Sequence, residues 1–329
     1  MFPALALGQK LTEMGSDIML ITDDRGARFI TSGVNYETVP SIAFFGKSIV
    51  KKVLSLGAYF KGVRISKKVI DSFNADAVVG FGGYTSFPAI QAARAKKIPY
   101  FLIEQNSVPG RVTRLTQKRA RLVFFGIPPA PHMDKCKNKV VITGNILRKT
   151  VVLDKRSEGE SILVQGGSQG ARSLNNLAFE LAAKFPGERF ILISGKRDFE
   201  EMTARVRPSN LEIIDFAEQP EKLYARAKIA ISRSGAMALS ELMVNGIPSI
   251  FVPFPYSIDK DQLYNASWAR DNDAAYIAEE GEIDCVEYLL KDLIERRDLR
   301  EKMSVNARRL VPTNAADIIA ERIEQCLAA

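Results

Sequence analysis

The chain has little of what redox and metal chemistry most often use. Its 329 residues include one histidine, His132, in a proline-rich loop. A multi-histidine metal site is therefore excluded, and a serine–histidine triad would have to rest on that loop residue alone. The three cysteines, Cys136, Cys285 and Cys326, are odd in number, far apart and form no CxxC pair. They read as reduced thiols of a cytosolic protein, not as disulfides or zinc ligands. No apolar run reaches the roughly 18 residues of a membrane-spanning helix. No basic stretch followed by an apolar core opens the chain, so no signal peptide is expected.

What is present is an ordinary globular composition, 46% hydrophobic and 26% charged. At about 100–200 residues per domain, the length predicts two domains. The net charge of +8 is unevenly spread. Residues 1–150 carry 23 Lys and Arg against 9 Asp and Glu, a net of +14, while residues 151–329 carry a net of −6. Only the first half is suited to meet an anionic partner: nucleic acid, an anionic membrane or a phosphorylated substrate.

Both halves alternate short apolar runs with amphipathic stretches. Strands are predicted at 17–22, 77–81, 100–103, 122–125 and 140–143, then at 161–165, 189–194, 212–216, 229–232 and 249–252. Runs such as Val78-Val-Gly-Phe81 lack alternation, as strands covered on both faces do. Two parallel sheets wrapped by helices follow, with domains at 1–150 and 151–314. The polar stretch 148–160 forms the boundary, and helix 315–329 is a candidate to complete the first domain. Pro3–Met14 reads as a helix stopped by Gly15. In a doubly wound domain a central strand precedes the first helix, yet only Met1 and Phe2 do so here. A strand and loop of about 10–15 residues is missing from the expected pattern.

The strand Ser161–Gln165 runs into Gly166-Gly-Ser-Gln-Gly170, and a helix follows near Ala171. Glycines permit close backbone approach, and the helix N-terminus offers free N–H groups suited to a diphosphate. The spacing fits neither a Walker loop nor the dinucleotide fingerprint. On these residues alone a plain tight turn and a phosphate cradle both remain open. Ser232–Glu241 again ends a strand and opens a helix of small residues; a carboxylate at Glu241 suits both hydroxyls of a ribose, and a solvated helix residue is the alternative. Gln262 and Asn265 share one helix face, where amides suit sugar hydroxyls. All of these lie at C-terminal strand ends, where open parallel sheets bind ligands.

Gly80-Phe-Gly-Gly-Tyr84, Glu104-Gln-Asn106, Val108-Pro-Gly110, Thr143-Gly-Asn145 with Arg148, Gly166-Gly-Ser-Gln-Gly-Ala-Arg172, Arg233-Ser-Gly-Ala236, Ser240-Glu241 and Asp261-Gln262 with Asn265-Ala266 occur in one order. Together they resemble the MurG family, bacterial N-acetylglucosamine transferases that convert lipid I to lipid II. The resemblance implies an α/β GT-B fold: two Rossmann-like, doubly wound domains facing across a cleft. It implies that Gly167, Ser168, Gln169 and Gly170 bind the diphosphate of UDP-N-acetylglucosamine, assisted by Arg148. It further places Ala217 at uracil; Ala236, Met237, Ala238, Leu239, Ser240 and Glu241 along the nucleotide; and Gln262, Asn265 and Asn106 at the sugar. Gly82, Gly83 and Tyr84 would face the acceptor, the lipid-linked N-acetylmuramoyl-pentapeptide. The reaction implied is inverting transfer to the C4 hydroxyl, with no cofactor or metal. Asp259-Lys-Asp261 formally reads as a DxD metal signature but is taken as a chance match. Glu104 is the candidate base; its alternative is a carboxylate that orders its own loop.

Residues 41–70 mix Phe44, Phe45, Ile49, Val53, Leu54 and Phe60 with Lys47, Lys51, Lys52, Lys61, Arg64, Lys67 and Lys68. That suits an anionic membrane surface; packing of the helix on its own sheet is the alternative. No nucleic-acid motif is present. A peripheral protein on the cytoplasmic face of the inner membrane is expected. The family normally opens with a strand and a Gly-rich loop ending in His, which this chain lacks. An upstream start, an inactive UDP-sugar-binding relative and an altered acceptor site stay open, as does another UDP-sugar chemistry on the same scaffold.

Overall fold

The computed structural model describes residues 1–30, 33–40, 49–130, 139–153, 158–167 and 170–328, with the side chains of 49–56 left aside. Ser168, Gln169, Phe44, Phe45, Lys47, His132 and Cys136, and the side chains of Ile49, Lys51, Lys52, Val53 and Leu54, lie outside the described residues. The chain divides into two units, residues 1–146 with 314–329, and residues 147–313. The first crossing falls at Ile146 and Leu147, four residues before the expected Thr150.

The first unit runs α1 (Phe2–Glu13), β1 (Leu20–Thr22), α2 (Asp24–Ala27), β2 (Tyr36–Thr38), α3 (Ile49–Phe73), β3 (Val78–Gly80), α4 (Ser86–Lys96), β4 (Tyr100–Glu104), α5 (Arg111–Thr116), β5 (Val123–Phe125) and β6 (Val140–Ile142). Gly15, at φ +96°, ends α1 in a conformation that other residues rarely adopt. Strands β1 and β2 pair in parallel, and β3-β4-β5-β6 form a separate parallel sheet. Between them lies a cavity of about 190 Å³, lined by Leu20 and Ile21 of β1, Val78 and Val79 of β3, and Leu7 and Ile70.

The second unit contains β7 (Ser161–Gln165), α6 (Arg172–Lys184), β8 (Arg189–Ile193), α7 (Phe199–Ala204), β9 (Leu211–Ile214), α8 (Pro220–Arg226), β10 (Ala227–Ser232), α9 (Ala236–Val244), β11 (Ser249–Phe251), α10 (Asp261–Arg270), β12 (Tyr276–Ile277), α11 (Ile283–Glu295) and α12 (Arg297–Leu310). Its parallel sheet has the order β12-β11-β10-β7-β8-β9. Every residue of β7 is buried, because helices cover both faces. The chain winds outward from β7 to β9, then crosses back to lay β10 on the other side of β7. Gln165 and Ser232, the last residues of β7 and β10, stand opposite each other at this reversal. The crevice beside such a reversal is where open α/β sheets bind ligands.

The final helix, α13 (Ala315–Ala328), belongs to the first unit. Ala315, Ile319, Ala320 and Ile323 bury against Leu7 and Leu11 of α1 and Phe101, Ile103 and Phe124 of the sheet. Lys10 pairs with Asp317 at 2.6 Å, and the Ser16 hydroxyl donates to Glu324 at 2.8 Å. These half-exposed polar contacts add little beside the apolar burial. Ile319→Ala is expected to lower the stability of the first unit by about 2–5 kcal/mol. Denaturation followed separately in each unit should show the second unit's midpoint unchanged.

Candidate functional site

The turn after β7 needs its glycines. A Cβ on Gly170 would lie 2.1 Å from the Ser194 carbonyl oxygen, and one on Gly166 would lie 2.4 Å from the Ala171 nitrogen. Gly167 and Gly170 have φ of +87° and +75°. The turn is thus wedged against the exit of β8, and the Gly170 N–H is engaged by the Gly167 carbonyl at 3.0 Å. Helix α6 starts without a side-chain cap, so its first-turn N–H groups point out of the β7 exit toward solvent or a ligand. Helix α9 likewise starts after Gly235 without a side-chain cap. Two uncapped helix starts flanking the switch point give the crevice a positive potential.

Half-buried Glu241 lies in the second turn of α9. Its Oε2 accepts from the Tyr224 hydroxyl at 2.8 Å. Burial raises the Glu241 carboxyl, while the Tyr224 bond and the nearby Arg148 charge oppose the rise. Arg148 sits on a segment hooked to α9 by Asn245. The Asn245 amide donates to Val151 O at 2.9 Å and accepts from Leu153 N–H at 2.9 Å. Met237 and Ala238 are half-buried, whereas Leu239 and Ser240 are 0% and 1% exposed. The Leu239 and Ser240 side chains are buried in the fold, which leaves their backbone as the part that can line a ligand.

Arg233 ties three loops together. It is 6% exposed and donates to Val252 O and Pro253 O at 3.0 and 3.2 Å, to the Ser173 hydroxyl at 3.0 Å and to Glu280 at 2.7 Å. The exits of β10 and β11 and the first turn of α6 therefore share one buried cation. The expected sugar readers are partly turned inward. Asn265 is fully buried and its amide donates to Ser234 O at 3.0 Å. Through this bond Asn265 braces the β10 exit loop. Gln262 accepts from the Phe254 N–H at 3.0 Å through Oε1, leaving its amide nitrogen to a ligand. In the Asp259-Lys-Asp261 stretch, Asp259 is in the left-handed region and Asp261 accepts from the Gln262 N–H at 2.8 Å.

One loop at this edge was missed from sequence. Ser194-Gly195-Lys196 leaves β8 with Gly195 at φ +82°, and Lys196 lies 5.2 Å over the Phe216 ring, next to half-buried Ala217. A glycine directly after a predicted strand was the available signal.

In the first unit, Gly82, Gly83 and Tyr84 follow β3, with Gly83 and Tyr84 exposed. Glu104 ends β4 at 3% exposure. Its Oε2 accepts from Gly110 N–H at 2.8 Å and the Thr113 hydroxyl at 2.7 Å, and its Oε1 from Asn106 N–H at 3.3 Å. The Asn106 side chain bonds the same carboxylate. A Cβ on Gly82 would stand 3.5 Å from Glu104 Oε2. A carboxylate so enclosed orders the loops of β3 and β4, and it is not placed to take a proton from a substrate. The geometry therefore favours the loop-ordering reading of Glu104 over the base, and it turns Asn106 toward Glu104.

Residues 161–322 match the glycosyltransferase family 28 C-terminal domain, and residues 1–125 match its N-terminal domain. Among solved structures, Acinetobacter baumannii MurG superposes with a TM-score of 0.78 at 25% identity, covering 98% of this chain and 95% of that one. The calicheamicin glycosyltransferase CalG4 shares the fold at a TM-score of 0.74 and 14% identity, covering 99% of this chain and 95% of that one. The protein is a GT-B glycosyltransferase. Proteins named UDP-N-acetylglucosamine–N-acetylmuramyl-(pentapeptide) pyrophosphoryl-undecaprenol N-acetylglucosamine transferase are 32% identical in Sulfurihydrogenibium sp. (strain YO3AOP1) and 31% in Methylococcus capsulatus (strain ATCC 33009 / NCIMB 11132 / Bath). These matches cover 86% and 97% of this chain and 82% and 93% of the relatives. The chain belongs to this MurG family.

Burial raises the Glu104 carboxyl, with the Gly110, Thr113 and Asn106 bonds opposing. The folded state then holds its proton more tightly than the unfolded one. The resulting stability is full below the ordinary glutamate value and is lost as pH rises through the raised one. Stability measured against pH in that window should fall for the native protein and stay flatter for Glu104→Gln. Glu104→Ala, which strands the Gly110 N–H, is expected to cost about 1–3 kcal/mol.

Proposed function

We propose that the chain transfers N-acetylglucosamine from UDP-N-acetylglucosamine to the C4 hydroxyl of the N-acetylmuramoyl unit of lipid I, with inversion, to give lipid II. The observation that carries the donor half is the switch point between β7 and β10, where two uncapped helix starts meet Glu241 and Arg148. The first-turn N–H groups of α6 hold the diphosphate, together with Gly167, Ser168, Gln169 and Arg148, while Gly170 keeps the turn in shape. Glu241 accepts from the ribose. The backbone of Ala217 meets the uracil; Ala236 to Ala238, with the backbone of Leu239 and Ser240, line the nucleotide; and the Gln262 amide nitrogen donates to a sugar hydroxyl.

The chemistry follows from charge. As the acceptor oxygen attacks the anomeric carbon and the bond to UDP breaks, negative charge gathers on the leaving diphosphate. Helix N-termini and Arg148 stabilise that charge where it develops. Gly82, Gly83 and Tyr84 form the acceptor edge, kept in shape by Glu104. The protein binds the membrane peripherally, on its cytoplasmic face. Among the described residues no helix is long and apolar enough to cross a membrane. Phe60 is 61% exposed beside exposed Lys61, Arg64 and Lys68 on α3, a mixture suited to anionic lipid.

The test is transfer of labelled N-acetylglucosamine from UDP to a lipid I analogue. Glu241→Ala is expected to lower kcat/KM by about 10- to 100-fold, mainly through the donor KM, for a lost bond to a charged group. Absence of transfer by the native chain would overturn the proposal.

A further inference from the structure

Tyr224 is 2% exposed on α8, yet its hydroxyl is fully engaged. It donates its proton to Glu241 Oε2 at 2.8 Å. The Gln165 side chain bonds the same phenol. Because the phenol has one proton, and Glu241 takes it, Gln165 is the donor to the phenol oxygen. The Gln165 amide nitrogen also donates to the Ser232 hydroxyl at 3.2 Å, which in turn donates to Arg233 O at 2.8 Å. Gln165 is the last residue of β7 and leads into the Gly166–Gly170 turn; Ser232 is the last residue of β10. The hydrogen bonds therefore run from the two strand ends at the switch point, through Tyr224, to Glu241.

We propose that Tyr224 is a positioning residue that holds the Glu241 carboxylate in register with the diphosphate turn, so that Oε1 is presented to the ribose hydroxyls. The inference rests on the donor-site reading above. With Oε2 held by the phenol, Oε1 remains for the ligand. The geometry thus makes the site selective for a nucleoside diphosphate that keeps its ribose hydroxyls, and it couples that selectivity to the seat of the diphosphate. Arg148 and Glu221 are the charged groups that face Glu241; the first favours its ionised form and the second opposes it. Loss of the phenol proton removes a bond that favours ionisation, so the carboxyl rises further.

Tyr224→Phe in the full chain deletes one oxygen and leaves the buried ring. Calorimetry with UDP and with 2′,3′-dideoxy-UDP reads the effect. The variant is expected to bind UDP about tenfold more weakly, the loss of one bond to a charged group, and to bind the dideoxy nucleotide within about twofold of the native protein. The acidic fall-off of UDP binding should move to higher pH, because the ionised Glu241 is the stronger acceptor for ribose hydroxyls. In a Glu241→Ala background, Tyr224→Phe should leave UDP affinity unchanged. Equal weakening of both nucleotides, or an unmoved pH profile, would overturn the proposal and leave Tyr224 a packing residue. Native protein that binds UDP and dideoxy-UDP equally would overturn the donor-site reading itself, and the positioning role with it.

Discussion

Parallel strands buried on both faces all leave the sheet at the same edge, and every candidate ligand group of the second unit depends on that constraint. Because β7 and β10 are neighbours in space but distant in sequence, their exit loops diverge and leave a crevice. Six strands of the described residues open on that edge, and the turn of Gly166–Gly170, the Ser194–Lys196 loop, Ala217, the Ser232–Gly235 loop and the Pro253–Gln262 loop are five of their exits.

Side chains then fix how the exits sit. Most of the polar residues at this edge bond to protein rather than stand open. Arg233 carries the β10 and β11 exits, Asn265 holds Ser234, and Asn245 secures the segment bearing Arg148. Glu104 does the same work in the first unit with Gly110 and Thr113. A buried polar group left unpaired is costly, so each of these side chains is drawn to the nearest backbone group. The result is a rigid frame around the uncapped first turns of two helices.

The fold was legible where the sequence carries strong periodicity. Unalternating runs such as Ile162-Leu-Val164 and Phe190-Ile-Leu192 marked buried strands, and Ala315–Leu327 marked the last helix. Strands β2 and β12, of three and two residues, were not found, since so few residues carry no pattern. The candidate site was legible in its backbone: glycines after strands announced the turns. Side-chain direction was not. Whether Asn265 faces a sugar or Ser234, and whether Glu104 faces a substrate or Gly110, is decided by contacts between residues far apart in sequence. Tyr224 gave no signal at all, being one aromatic residue on a short helix. Its partner Glu241 was visible only because it follows a glycine-rich strand exit.

The placement of α13 also orders events in time. The first unit holds residues 1–146, yet part of its core, Ile319 and Ile323, is synthesised after the whole of the second unit. The second unit, inserted between, has all of its residues before that helix exists. Domains generally fold as units during synthesis. Here the unit that is started first must wait, with its α1 face uncovered, until the one started second is already complete.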